Sequence, residues 1–286
     1  MQNTPGKNTG QEAERRAGEA ARRAYPWAER LARFGYAAKG AVYLVTGALA
    51  VGVATGAGGR ATDQRGALEE IGAQPFGWVL LGLVAVGLVG YVIWRIVQAV
   101  ADPDREGRDA RGVTRRIGYG LSALVYAGLA LTAGQLVLES GGGGSSPRDW
   151  TAWLLSWPLG WMLVAGVGAG VAGYGVYQLY QAYEAEFRDY LELGRMSGRE
   201  KTWITRGGRF GLAARGVVFG ILGFFLVLAA LQSEPNEAGG LGDALQTLIQ
   251  QPLGPWILGV VALGLVSYGL FMLAVARYRR ITPSRS

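Results

Sequence analysis

Long apolar stretches alternate with strongly polar segments along the whole chain. Six stretches contain no Asp or Glu, hold few Lys or Arg, and are rich in Leu, Val, Ala and Gly. A helix needs about 20 apolar residues to cross a hydrocarbon core roughly 30 Å thick, and each stretch is long enough. A soluble six-helix bundle would instead require a polar face on each helix, and the stretches show none. The pattern predicts six transmembrane helices, at about 34–55, 77–100, 117–138, 159–182, 210–231 and 254–276.

The sequence repeats itself three times. Each copy has a Gly early in its first apolar stretch, a Pro 40 or 41 residues later, and a Tyr 16 residues after that Pro. Each copy holds two spans, an even number, so successive copies enter the membrane from the same side, unlike inverted transporter repeats. We therefore expect an all-α integral membrane protein of three tandem two-helix repeats in parallel orientation, which could surround a pseudo-threefold axis. The matched residues are Gly35, Gly118 and Gly211; Pro75, Pro158 and Pro252; and Tyr91, Tyr174 and Tyr268.

Polar segments separate the repeats and define the domain boundaries. The segments are a polar arm at 1–32, repeat 1 at 33–102, repeat 2 at 116–183, a link at 184–208, repeat 3 at 209–278 and a tail at 279–286. The arm is expected to form a surface helix up to Pro26. Each repeated Pro is expected in the first turn of the second span, where its missing N–H costs nothing. Loop segments 66–71, 150–155 and 241–249 are weakly amphipathic and predict short interfacial helices.

The basic residues are distributed unevenly. Of 28 Lys and Arg, 25 lie in the arm, the two inter-repeat links, the tail and the adjoining span ends, and three lie in the loops inside the repeats. Because basic residues concentrate in cytoplasmic loops, this bias predicts a multi-pass protein of the inner (plasma) membrane with both termini cytoplasmic. Tryptophans then form an interfacial belt at the outward ends of the spans: Trp78, Trp150, Trp153, Trp157, Trp161 and Trp256.

Composition excludes several kinds of chemistry. The chain has no Cys and no His, so it has no thiolate nucleophile, imidazole base, disulfide, or histidine ligand for haem or zinc. We expect no catalytic, cofactor or metal residues, and hence no enzyme; serine–lysine chemistry would need a Ser near Lys39 or Lys201. The excess of basic residues is explained by the charge bias of the loops, so nucleic-acid binding is not expected.

Small residues recur at matched positions of the repeats and predict tight helix interfaces, because close backbone approach drives association in lipid. Smooth glycine faces favour contact over a wide aqueous lumen. The matched sets are Gly40, Ala123 and Gly216; Gly47, Ala130 and Gly223; Gly87, Gly170 and Gly264; and Gly90, Gly173 and Ser267.

Basic residues within the spans form the candidate site. Lys39 and Arg215 share one repeat position, with Ser122 between them, and Arg95 shares another with Gln178 and Met272. Lys39, Arg95 and Arg215 could bind anionic lipid phosphates or another anion. Alternatively, their stems lie in the acyl region and their charges snorkel to the interface.

The repeated tyrosines Tyr91, Tyr174 and Tyr268 need partners for their hydroxyls, between helices, at the interface or in a pore. An aromatic stripe runs from the end of repeat 2 into the link that follows it. There, Tyr180, Tyr183, Phe187 and Leu191 form a helical stripe that could dock a partner or pack beneath the protein's own bundle.

The repeated opening, with Gly35, Gly40 and Tyr43 in the first copy, and the closing Pro75, Gly77 and Tyr91 resemble a bacterial membrane family. It is known as a domain of unknown function, numbered twelve hundred and six. The resemblance covers about residues 33–278 in three copies and implies an integral membrane location, with no established activity.

Two functions are consistent with these features. The first is a structural, lipid-associated or partner-binding membrane protein, with anionic lipids, a membrane or cytoplasmic protein, or a second copy as partner. The alternative is a channel or small-solute or anion carrier built from three pseudo-equivalent units.

Overall fold

A computed structural model describes residues 6–58, 62–104, 106–138, 147–232, 250 and 252–280, with the side chains of 6–28, 111 and 147–150 left aside. Its regular elements are helices, joined by two short 3-10 turns and one antiparallel bridge between Leu191 and Arg279. The helices are α1 Gly6–Ala54, α2 Gln64–Ala73, α3 Gly77–Ala101, α4 Ala110–Val137, α5 Pro147–Leu155, α6 Gly160–Glu184, α7 Gly198–Gln232 and α8 Gly254–Tyr278.

Six of these helices are long and apolar enough to cross a membrane: α3, α4, α6, α7, α8 and the Glu29–Ala54 part of α1. The predicted all-α fold of six spans is confirmed. The short helices α2 and α5 confirm two of the predicted loop helices, whereas segment 241–249 lies outside the described residues. The arm differs from the prediction, because α1 continues without a break from Gly6 past Pro26 into the first span.

The spans pack as three two-helix units, arranged in a ring that is open at one place. Unit 1 is α1 with α3, unit 2 is α4 with α6, and unit 3 is α7 with α8. The second helix of each unit packs on the first helix of the next, as α3 on α4, α6 on α7 and α8 on α1. Within units 1 and 3 the two helices also pack together, but the described residues of α4 and α6 do not pack on each other along their lengths. We call the gap between α4 and α6 the seam.

Two of the junctions between units, α8 with α1 and α6 with α7, are built on predicted small residues. On α1, a β-carbon at Gly40 would lie 2.9 Å from the carbonyl oxygen of Gly269 on α8. On α7, a β-carbon at the equivalent Gly216 would lie 2.8 Å from the carbonyl oxygen of Gly175 on α6. Such backbone-to-backbone contact leaves no room for a side chain, which confirms the prediction of tight interfaces at these positions.

One arginine at the start of each unit caps the helix of the preceding unit. Arg33 donates to the carbonyl oxygens of Ala276 and Arg277 at 2.9 and 2.5 Å, and Arg116 donates to those of Ala99 and Val100 at 2.9 and 3.0 Å. Arg209 donates to the equivalent carbonyl of Tyr183 at 3.0 Å. A helix leaves its last carbonyls unpaired and negatively polarised, so a cation there is favourable. The sequence shows the repeated arginine but not this role.

The second helix of each unit begins with a left-handed residue, not with proline. Phe76, Leu159 and Leu253 are the N-caps of α3, α6 and α8, with φ of 60°, 62° and 62°. Each follows the repeated Pro, so the prediction that Pro lies in the first turn is wrong by two residues. The next residue, Gly77 in unit 1, is required because a β-carbon there would overlap the carbonyl of Gly72.

The links between units lie at one end of the ring, which we call the polar end. Here Glu106 accepts hydrogen bonds from Arg115, Tyr119 and Tyr190, each at 2.8 Å. Burial and the hydrogen bond to Glu106 raise the pKa of Tyr190, so its hydroxyl stays protonated and the link stays pinned. At the opposite end, the predicted belt residues Trp78, Trp153, Trp157, Trp161 and Trp256 are exposed.

The aromatic stripe in the second link is divided between two environments. α6 ends at Glu184 and Ala185 adopts a left-handed conformation, so the stripe does not continue as one helix. Phe187 packs on Phe271 with ring centroids 4.8 Å apart and Leu191 is buried, as self-packing predicts. Tyr180 and Tyr183 are exposed.

Candidate functional site: a tyrosine–cation core

Three repeat positions meet in the middle of the ring. The first helices contribute Lys39, Ser122 and Arg215 at one position and two tyrosines and a phenylalanine four residues later. The second helices contribute the repeated tyrosines. We call this set, together with Arg95, the tyrosine–cation core. Its aromatic members are Tyr43, Tyr126 and Phe219, with Tyr91, Tyr174 and Tyr268.

Lys39 lies in an aromatic cage inside the bundle. Its Nζ donates to the hydroxyl of Tyr91 at 2.9 Å. The same ammonium lies 4.7 Å from the ring centroid of Tyr91 and 4.6 Å from that of Tyr126. Only 3 % of Lys39 is exposed. The charge therefore does not snorkel to an interface, and cation–π attraction replaces part of its lost hydration.

Arg215 is the least satisfied cation of the core. Its guanidinium lies 4.3 Å from the ring of Tyr268 and 5.3 Å from that of Tyr43. It is buried, its Nε has no acceptor, and the structure gives it no hydrogen bond to any described residue. Guanidinium carries five N–H donors, and buried donors are normally paired. An arginine in this state is suited to accept an anion.

Arg95 reaches the core from α3. Its Nε donates to the hydroxyl of Tyr91 at 2.7 Å, and its guanidinium lies over the ring of Tyr119, 5.0 Å away, on α4. Gln178 holds the equivalent place in unit 2 and is buried, yet neither its amide nitrogen nor its amide oxygen has a partner.

The core has a surplus of positive charge. Tyr91 accepts hydrogen bonds from both Lys39 and Arg95, and the ring of Tyr268 lies near both Lys39 and Arg215. The structure thus groups the three predicted cations around shared tyrosines. None of the three forms a salt bridge with a described carboxylate. Asp104 binds Gln98 at 2.5 Å and Arg279 at 3.0 Å instead.

The three units of the ring correspond to three copies of one known sequence family. The model of the Domain of Unknown Function (DUF1206) matches the chain three times, at residues 34–102, 117–185 and 210–279. Each match is one unit of the ring. The chain belongs to the DUF1206 family. It is a multi-pass membrane protein with three copies of that domain.

Other comparisons are consistent with this assignment. The chain is 38 % identical over 258 residues to the uncharacterized protein YxxB of Bacillus subtilis (strain 168), covering 90 % of this chain and 93 % of that one. No solved structure matches the chain. The DUF1206 assignment therefore supports the fold and the membrane location and supplies no activity.

The three repeated tyrosines of this DUF1206 protein are not equivalent. Tyr91 and Tyr268 are buried at 0 and 3 % exposure, but Tyr174 is 42 % exposed. All three tyrosines and the three cations are candidate site residues predicted from the sequence, whereas Tyr43 and Tyr126 are not. Both could have been found, because a large aromatic residue recurs at this position in every copy.

Proposed function

We propose that the protein is a non-enzymatic protein of the inner (plasma) membrane whose tyrosine–cation core binds the phosphate of an anionic lipid. The polar end and both termini lie in the cytoplasm. The observation that carries the proposal is the buried guanidinium of Arg215, which lacks an acceptor among the described residues.

Unpaired charge is costly in hydrocarbon. On insertion scales a charged side chain costs about 2.5–3.5 kcal/mol at the bilayer centre, and charged residues inside spans usually pair or line a ligand path. Cation–π contacts contribute about 0.5–2 kcal/mol each and offset part of this cost, but they supply no oxygen acceptors for the N–H donors. A phosphate would supply both a negative charge and oxygen acceptors, and arginine binds phosphate in a bidentate manner. Phosphate is therefore the ligand chemistry that completes this core.

Aromatic packing favours binding over conduction. The rings of Tyr43 and Tyr268 are 4.8 Å apart, and those of Tyr91 and Tyr126 are 4.7 Å apart, so they fill the space between helices. A channel would need a continuous polar path through this layer. Flux of an anion through liposomes that is lost in Arg215→Gln would favour the carrier alternative instead.

The orientation can be tested with single cysteines, because the native chain has none. Arg108→Cys is exposed at the polar end and Ala57→Cys is exposed in the loop after α1. In intact cells, a membrane-impermeable maleimide should label Ala57→Cys, whereas Arg108→Cys should react only after lysis, as the positive-inside bias requires. The opposite labelling pattern would reverse the proposed orientation.

Binding can be tested with arginine variants. In detergent-purified protein, short-chain phosphatidylglycerol should raise the melting temperature, and phosphatidylcholine of equal chain length should not. Arg215→Gln should weaken phosphatidylglycerol binding about tenfold or more, since a hydrogen bond to a charged group contributes about 1.5–3 kcal/mol. Arg206→Gln, which removes an exposed charge from the same helix, is the control and should change binding little.

Equal stabilisation by both lipids, or equal loss in the two variants, would overturn the proposal. A separate titration with inorganic phosphate distinguishes the two sources of the anion. Stabilisation by phosphate alone, with none by phosphatidylglycerol, would show that the core takes a free anion.

A further inference from the structure

The seam between α4 and α6 departs from the threefold pattern. In units 1 and 3, a β-carbon on Gly35 or Gly211 would lie 2.7 or 2.6 Å from the Cα of the repeated tyrosine. At Gly118, the equivalent position in unit 2, a β-carbon would meet nothing within 4 Å. Gly170 and Gly173 on α6 are equally open. The prediction that Gly170 and Gly173 form a tight helix interface is therefore wrong.

A single substitution between repeats accounts for the opening. Ala38 and Ala214 press against Gly87 and Gly264, where an added β-carbon would overlap the alanine β-carbon. Unit 2 has Leu121 at this position. Three further heavy atoms do not fit in a contact already closed to one, so α4 stands away from α6. Consequently Val125 is 71 % exposed, whereas its counterparts Val42 and Val218 are 1 and 3 % exposed.

The seam leads toward the cations of the core. Tyr174 lies on the seam, half-exposed, and its ring packs on Phe219 at 5.3 Å. Phe219 in turn packs on the guanidinium of Arg215, 5.2 Å from its ring centroid.

The depth of Arg95 also matters. It is six residues before the end of α3, or roughly 9 Å from the polar end at 1.5 Å per residue. Its own side chain is only half-buried and touches Tyr119 on α4. A lipid phosphate must leave the headgroup level by about this distance to reach it.

We infer that the seam is a lateral entrance through which one anionic phospholipid binds, with an acyl chain along the glycines of α6 and its phosphate toward Arg95 and Arg215. This inference rests on the proposed function and names the route and the ligand class. Small residues leave a groove in which an acyl chain can lie, and the unpaired guanidinium supplies the attraction. The buried amide of Gln178, one turn from Tyr174 on the same helix, offers a further donor and acceptor without a present partner.

Charge favours a lipid over a second copy of the chain. A copy would bring its own seam, and a symmetric contact would place Arg95 and Arg215 of both chains near each other. The two sides of the seam carry no acidic side chain within the spans, since residues 117–138 of α4 and 159–182 at α6 include no Asp or Glu. Like charges without counter-charges oppose that association, whereas an anionic lipid neutralises them.

Photolabelling provides the first test, and the protein supplies its own control. Phosphatidylglycerol with a diazirine in one acyl chain is added to protein in phosphatidylcholine nanodiscs, and labelled residues are mapped by mass spectrometry. We expect adducts on Leu121, Val125 and Tyr174 and none on their buried counterparts in units 1 and 3. Diazirine phosphatidylcholine should label these seam residues at least about tenfold less, if the charge-assisted bonds decide the preference.

A plugged seam provides the second test. Gly170→Trp places an indole where an added β-carbon meets nothing within 4 Å, so the variant should fold. The indole should keep the lipid phosphate from its charged partner, and the loss of one charge-assisted hydrogen bond should reduce photolabelling and phosphatidylglycerol binding about tenfold or more. Gly82→Trp adds the same ring on α3, also in open space, and should leave both unchanged.

The outcomes separate the inference from the proposed function. If phosphatidylglycerol binding depends on Arg215 but Gly170→Trp binds as well as the unmodified protein, the core binds lipid and the seam is not its entrance. If phosphatidylglycerol and phosphatidylcholine label the seam equally, the entrance fails; the proposed function fails as well only if Arg215→Gln binds phosphatidylglycerol like the unmodified protein. A bismaleimide that joins two Gly170→Cys chains in nanodiscs would show that a second copy covers the seam, and would overturn the inference.

Discussion

Replacing Gly223 with leucine should lower the melting temperature of the detergent-solubilised protein by roughly 6–12 °C. A β-carbon at Gly223 on α7 would lie 2.6 Å from the carbonyl oxygen of Gly168 on α6, and 2.7 Å from the Cα of Ala172. The contact is with backbone, so no rotamer change relieves it. Overpacking costs about 3 kcal/mol in a closed site, and in a chain of this size 1 kcal/mol shifts the midpoint by about 2–4 °C.

The matched control is Gly220→Leu, one turn earlier on the same helix. A β-carbon there meets nothing within 4 Å, so the same side chain should be tolerated in the surrounding lipid or detergent. Melting can be followed by size-exclusion chromatography after heating. If both variants have the melting temperature of the unmodified protein, α6 and α7 are not in backbone contact and the ring arrangement is wrong.

Arg215→Met should stabilise the ligand-free protein and abolish its stabilisation by phosphatidylglycerol. Burying an ion carries a penalty of several kcal/mol, and replacement of buried charges by apolar residues of similar volume often stabilises by about 1–4 kcal/mol. Three aromatic rings face the guanidinium, but its unused N–H donors gain nothing from them. A bound lipid at 100 times its Kd would normally add about 2.7 kcal/mol, and this increment should disappear.

The control for this pair of effects is Arg206→Met on the exposed side of α7. Exposed substitutions usually change stability by less than about 0.5 kcal/mol, and lipid stabilisation should persist. A lower melting temperature for ligand-free Arg215→Met would mean that the cation–π contacts outweigh the desolvation penalty. The core would then be a structural element that needs no anion.

Much of the architecture follows from periodicity that a sequence displays directly. The absence of acidic residues over lengths that match a bilayer predicts the spans, and the matched Gly, Pro and Tyr positions predict the units. The glycines at positions 40 and 216 predict interfaces, because helices associate in lipid by close packing rather than by the hydrophobic effect. The three cations were selected because charge inside a span is costly.

Other features depend on contacts between distant helices. The burial of Lys39 could not be distinguished from snorkelling, because the choice depends on whether Tyr91 and Tyr126 close over it. The sequence does show Leu121 in unit 2 where the other units have alanine. Its effect on packing could not be predicted without knowing that the counterparts Ala38 and Gly87 are in contact. The repeated proline does not lie in the first turn of each second helix, because the residue after it is left-handed and the helix begins one residue later still.

The capping arginines have a consequence for how the polypeptide is threaded. Arg33 joins the last helix to the first by the same bonds that Arg116 and Arg209 make between consecutive units, although no peptide segment connects α8 to α1. The α8–α1 junction thus forms independently of chain connectivity. Head-to-tail contacts of this kind need only the two edges of a unit, so they do not require that neighbouring units belong to one polypeptide.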